Sequence, residues 1–216
     1  MNVYLNKLRN FTRIPTSIYG LKYTASLEPN YSDTEDFWYD NRHKFPFQIS
    51  TGNGQFSEDN SNLLKECLSE LKENSIIVEI GVANKDCFKG SSTECIFLNK
   101  KDNTYIGIDI ESHNIHPNNK DVYEVVGDSL DIAPIKEILK NHKIDLLLID
   151  GKHTINQKFK EWELYIPLMA EKAVILLHDT NFHSGGYCLS ECIDENLFEV
   201  RRYFVDKDMG MVKVKI

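Results

Sequence analysis

What the 216-residue chain lacks narrows its classification first. No apolar run approaches the roughly 20 residues that a membrane-crossing helix needs; central ones such as Ala173 to Leu177 stop at about five. The first twenty residues scatter Asn, Lys and Arg among apolar positions and form no signal-peptide core, so a cytoplasmic protein with no membrane partner is expected. Five cysteines (67, 87, 95, 188 and 192) make an odd set without a CxxC pair. They read as reduced thiols rather than a disulfide framework, and Cys188 and Cys192, four apart, do not by themselves make a zinc site. Lys and Arg form no cluster, and 25 of them against 33 Asp and Glu leave a net charge of −8. That balance disfavours duplex nucleic acid as the main partner, because phosphate neutralisation dominates such binding. A GxGxxG run is also missing, which argues against a pyrophosphate resting on a helix N-terminus.

What is present is ordinary globular material, with 41% hydrophobic and 27% charged residues, and it divides into two textures. Residues 1–60 hold 11 of the 23 aromatics, including Phe37, Trp38, Tyr39, Phe45 and Phe47, with little periodicity. This stretch reads as an arm or cap. It is either part of an acceptor pocket or a contact between copies of the chain, or else an irregular layer closing one edge of the core. Residues 61–216 alternate short apolar runs with helical spacing. The spacing predicts helices over 62–72, 92–99, 132–141, 154–169 and 188–196. It predicts strands over 75–81, 105–110, 122–126, 144–150 and 173–177, then a terminal hairpin from 199–205 and 211–216.

Strands that are apolar on both faces and alternate with helices imply a doubly wound, mostly parallel α/β sheet, here with a C-terminal antiparallel hairpin. In such a sheet the ligand sits beyond the carboxyl ends of the strands. Those ends carry Glu79-Ile-Gly81, Asp109, Gly127-Asp128, Asp150-Gly-Lys-His153 and His178-Asp179. Gly81 allows a tight turn close to a ligand, Asp109 is placed for two ribose hydroxyls, and Asp128 for an adenine amino group. Asp150 and Asp179, at the ends of neighbouring strands, would share one hard divalent cation such as Mg²⁺. His153 would take a hydroxyl proton beside it, whereas imidazole makes His178 a poor third ligand for Mg²⁺. Taken singly, each also suits a plain role: a strand-ending glycine, a solvated acid, an Asp-Gly turn or a helix cap.

The ordered set resembles the class I methyltransferase fold. More narrowly it resembles the metal-dependent O-methyltransferases that act on sugars of macrolide and aminocoumarin natural products. The likeness rests on Val78-Glu-Ile-Gly-Val82, Gly107-Ile-Asp109, Gly127-Asp128, Leu148-Ile-Asp-Gly-Lys-His153 and Leu177-His-Asp179, with Trp162 and Pro167-Leu168 between the last two. It implies S-adenosylmethionine as cofactor, with Gly81 at its methionine part, Glu79 beneath that loop, Asp109 at the ribose and Asp128 near adenine. It also implies Asp150 and Asp179 as metal ligands, His153 as base, and a small-molecule or saccharide acceptor. Two departures stand out: His178-Asp179 or Asp179-Thr180 stands where the family has paired acids or Asp-Asn, which leaves a third metal ligand unassigned, and Asn84 to Lys89 lengthen the glycine loop. The competing readings are a nucleotide-dependent oxidoreductase on a similar sheet and a non-catalytic S-adenosylmethionine-binding protein.

Overall fold

The computed structural model describes residues 11–13, 20–21, 23–25, 56–83, 88–115, 119–180, 185–203 and 211–216. Most of the aromatic arm, including Phe37 to Phe47, and residues 84–87 of the glycine loop lie outside the described residues. Among those described, β1 (Phe11–Arg13) and β2 (Tyr23–Ala25) pair antiparallel as a small separate hairpin. Leu21 beside them is part of the main core, 1% exposed, and bridges Ile193.

Helix α1 (Glu58–Glu70) starts four residues before the periodicity does. Ser57 caps it by accepting the Asn60 N–H at 3.1 Å, and Glu58 and Asp59 favour the positive end of the helix dipole. Strand β3 (Ile76–Ile80) is buried at every position. Helix α2 (Ser92–Asn99) then leads to β4 (Thr104–Asp109) and β5 (Val122–Val126). Helix α3 (Ala133–Leu139), β6 (Ile144–Ile149), α4 (Ile155–Tyr165) and a 3₁₀ turn at Ile166–Leu168 follow. Strand β7 (Met169–Leu177), helix α5 (Gly185–Cys192), β8 (Glu199–Tyr203) and β9 (Met211–Lys215) complete the order. Several boundaries differ from the spacing, two of them for reasons visible in the pairing. Strand β7 begins at Met169 because its N-terminal end pairs with Ile144 across an irregularity in register. Helix α5 ends at Cys192 because Ile193 turns out to meet Leu21.

The main sheet has seven strands in the order β5-β4-β3-β6-β7-β9-β8. The first five run parallel, and β9 lies antiparallel to both β7 and β8. One face packs Ile77, Leu146, Leu148 and Leu176 against Leu63, Leu64 and Leu68 of α1 and Ile96 of α2. The other packs Val78, Ile80, Leu147 and Ile149 against Ile135, Phe159, Trp162 and Leu189. Each buried side chain of this size contributes about 1.5–3 kcal/mol, so both faces are committed to the core and leave the strand ends for chemistry. Cys67, Cys95 and Cys192 are buried and in no disulfide. No helix among the described residues is long and apolar enough to cross a membrane.

The order of connection reverses between β3 and β6, which opens the crevice where such sheets take their ligands. Gly81 holds that point. Its φ is +87°, and a Cβ there would lie 2.4 Å from the carbonyl oxygen of Asp150 and 2.7 Å from the Gly151 nitrogen. Its N–H donates to the Ile108 carbonyl at 2.9 Å, so the loop after β3 is fixed to its neighbours on both sides. Replacing Gly81 with Ala combines a left-handed backbone with a clash against main chain. We expect it to cost about 2 kcal/mol or more, read as a lower midpoint in urea unfolding; an unchanged midpoint would refute this reading of the crossing.

Candidate functional site

Glu79 points inward from β3 and is fully buried. Its carboxylate accepts Ser92 Oγ at 2.5 Å, Thr93 Oγ1 at 3.0 Å and Tyr105 Oη at 2.5 Å. Thr93 Oγ1 in turn receives the Ala83 N–H at 3.1 Å. One carboxylate thus ties the start of α2, strand β4 and the glycine loop together. Glu79 therefore lies beneath the loop, without exposure to solvent. Burial raises its pKa to about 7 against the opposing pull of the three hydroxyls. The Tyr105 hydroxyl is pushed well above its ordinary value by burial and by the Glu79 charge, so it remains a donor.

Asp109 ends β4 and is partly exposed. Its Oδ2 accepts the Val82 N–H at 3.0 Å, and its Oδ1 accepts the Glu111 N–H at 3.1 Å and lies 3.5 Å from His113 Nε2. Glu124 of β5 holds the following turn by accepting the backbone N–H groups of His113 and Asn114. Beside Asp109, the Ile110 side chain is 76% exposed, an apolar surface at the rim of the crevice that strand periodicity alone would place in the core. Asp128, after β5, is exposed, and its Oδ1 accepts the Leu130 N–H at 2.9 Å.

The ends of β6 and β7 come together as adjacent strands, with Ile149 opposite Leu177. Asp150, His153 and Asp179 each offer a ligand atom within 4.8 Å of the others. His153 Nδ1 lies 2.6 Å from Asp179 Oδ2. His178 occupies the middle, with Nδ1 2.8 Å from Asp150 Oδ1 and 3.4 Å from Asp179 Oδ1. Its Nε2 faces the Asn60 amide nitrogen at 3.1 Å, and Phe56 lies against its ring at 5.2 Å. Asn60 and Phe56 carry no local mark of this role, since contact across 118 residues leaves no spacing to read.

Burial alone would lower the pKa of His178, but the Asp150 and Asp179 charges raise it to about 10. Near neutral pH the ring therefore carries its positive charge between the two acids. Burial likewise opposes the charge on Asp179, yet His178 and His153 hold its carboxyl well below the usual carboxylate range. For His153 burial pulls down, and the Asp179 hydrogen bond and charge more than offset it, so its pKa is raised. Asp179 itself adopts φ 54°, a left-handed conformation that turns its carboxylate back toward β6. Two carboxylates within one ion's reach fit a single hard divalent cation, which Asp150 and Asp179 would hold with His153 beside it.

Residues 78–180 match the family described as a methyltransferase domain. No curated protein matches the sequence. Among solved structures, an rRNA methylase from Streptococcus thermophilus aligns with a TM-score of 0.52 at 8% identity, covering 71% of this chain and 93% of that one. CalS11, a TDP-rhamnose 3′-O-methyltransferase of calicheamicin biosynthesis, gives 0.52 at 10% identity, covering 88% and 96%. MycE of the mycinamycin pathway, in complex with Mg, SAH and mycinamycin VI, gives 0.50 at 14% identity over 86% of this chain. The match covers 55% of MycE's own length. The seven-stranded sheet is the class I methyltransferase fold.

The raised pKa of Glu79 has a testable sign. Between about 4.5 and about 7 the folded chain binds a proton there that the unfolded chain has lost, so stability from this group falls as pH rises and levels above 7. The drop amounts to up to about 3 kcal/mol. Urea unfolding of wild type and Glu79→Gln from pH 5 to 7 should show a steeper fall in the wild type than in the variant, the difference being the contribution of Glu79; parallel curves would refute it.

Proposed function

We propose that this S-adenosylmethionine-dependent methyltransferase transfers its methyl group to a hydroxyl of a small molecule or saccharide, with a divalent cation, Mg²⁺ by its oxygen donors, assisting. The observation that carries this reading is the meeting of Asp150, His153 and Asp179 at the mouth of the β3–β6 crevice. The family match supports the transfer, and the sugar O-methyltransferase CalS11 supports the acceptor class.

S-adenosylmethionine, when bound, supplies a methyl group already activated by a sulfonium charge, so the chain's task is alignment and proton removal. We place Gly81 at its methionine part, Asp109 at the ribose hydroxyls and Asp128 at the adenine amine, with Glu79 fixing the loop from below. Asp150 and Asp179 would hold the cation, which would bind the acceptor oxygen and lower its pKa. His153 accepts the hydroxyl proton. Its Nδ1 is engaged by Asp179, which sets the ring and stabilises the imidazolium that forms, and Nε2 is the remaining acceptor. Phe56, near the end of the aromatic-rich segment, lies against the His178 ring and belongs to the acceptor side in this reading.

The same 2.6 Å contact favours a second reading, in which the His153–Asp179 pair removes the proton with no cation. Isothermal titration with S-adenosylmethionine, in Mg²⁺ and then in EDTA, tests the cofactor; absence of binding in both would overturn the proposal. Methyl transfer to sugar and catechol acceptors follows. His153→Ala should lower kcat by about 10²–10⁴-fold with little change in cofactor affinity, and an unchanged rate removes it as base. Asp150→Ala should abolish metal-stimulated turnover, whereas full EDTA-resistant activity in the wild type selects the cation-free reading.

A further inference from the structure

A chain of polar side chains runs from the interior to the exposed acid after β5. At its inner end, Glu161 of α4 is fully buried, and burial raises its pKa. Its Oε1 accepts the Ser129 hydroxyl at 2.6 Å, and its Oε2 has no hydrogen-bond partner among the described residues. Gln157, one turn earlier on the same helix, places Nε2 2.9 Å from Ser129 Oγ, 3.2 Å from Asp128 Oδ1 and 3.3 Å from Glu161 Oε1. The Ser129 hydroxyl spends its one proton on Glu161, so it accepts from Gln157. The amide must therefore present its nitrogen, not its oxygen, to this side, and its second proton falls to Asp128. The buried acid thus fixes the direction of every bond outward to the surface.

At the outer end, Asp128 Oδ1 is taken by Gln157 and by the Leu130 N–H. Neither of these contacts uses Oδ2, and the side chain is exposed. A carboxylate held by one oxygen presents the other as an oriented acceptor. Such an acceptor suits an exocyclic amine and opposes a carbonyl at the same position.

We infer that Gln157 is a positioning residue that sets Asp128 to distinguish a 6-amino purine from a 6-oxo purine in the cofactor. The inference rests on the reading of the crevice as the S-adenosylmethionine site. Gln157 touches no reacting atom; it acts through Asp128, and the Glu161–Ser129 pair keeps its amide from turning over.

The test is calorimetric binding of S-adenosylhomocysteine and its inosine counterpart to wild type, Gln157→Met and Asp128→Asn. Methionine keeps the length and helix preference of Gln157 and removes the donor. Wild type should prefer the adenine ligand by tenfold or more. Gln157→Met should cut that ratio at least threefold, chiefly by weakening the adenine ligand, while a merely structural defect would weaken both alike. Asp128→Asn, on an exposed side chain, keeps the test open if Gln157→Met fails to fold: its amide can donate to a 6-oxo group, so the preference should vanish or invert. Adding Gln157→Met to Asp128→Asn should then leave a vanished preference unchanged and relax an inverted one toward unity. An unchanged ratio in Gln157→Met, or equal loss of both ligands, overturns the role of Gln157. Equal binding of both ligands by wild type overturns the reading by Asp128. Binding of neither by wild type overturns the cofactor site itself, and with it this inference.

Discussion

Gly81 and the main chain of Asp150 approach each other more closely than any side chain would permit, and the site is arranged around that contact. The loop on one side of it leads to Asp109 through the Val82 N–H, and to Glu79 through Thr93. The loop on the other side carries Asp150 and His153. Because β3 and β6 are hydrogen-bonded neighbours, the two halves of the crevice cannot drift apart without breaking the centre of the sheet. The precision of the site is therefore inherited from the core. The segment that matches a methyltransferase domain, residues 78–180, supplies both sides of this single crossing.

Electrostatics divides the buried acids into two kinds. Glu79 is surrounded by hydroxyls and carries no cationic partner among its hydrogen bonds, so burial prevails and its proton is held to near neutrality. Asp179 is equally enclosed but lies between two imidazoles, and their charge prevails over burial. The difference follows from what each strand end faces: β3 points its acid under a helix N-terminus rich in Ser and Thr, and β7 points its acid across to β6. One acid is enclosed by hydroxyls and the other is held between imidazoles, although both lie near the ends of their strands.

That contrast marks how far the sequence could be read. The mostly parallel sheet with its antiparallel C-terminal pair follows from apolar runs alternating with helical spacing, whereas the order of its strands comes from the structure. Asp109, Asp128, Asp150 and Asp179 were legible as strand-end acids for the same reason: polar residues stand out where a buried strand emerges. Gln157, by contrast, looks like any polar residue in the first turn of a helix, and Asn60 like any in α1. Their partners come from other elements, and nothing in their own neighbourhood records the pairing. His178 was visible beside Asp179, but its place between both acids depends on the left-handed turn at Asp179, which a non-glycine residue does not announce. The early start of α1 hung on one capping serine, a signal that apolar periodicity overlooks.

The contact between Asn60 and His178 also bears on how the molecule comes into being. It joins the first turn of α1 to the end of β7, across nearly the whole doubly wound domain. Parallel sheets are built from such distant pairings, and chains dominated by them fold slowly. A partly folded intermediate holding only β3, β4 and β5 would own the glycine loop and Asp109 yet lack every group of the acid–histidine cluster. The two halves of the crevice would then be completed at different moments of folding. A ligand that spans both would act as a clamp on the last step, adding about 2.7 kcal/mol to the native state at a hundredfold excess over its Kd.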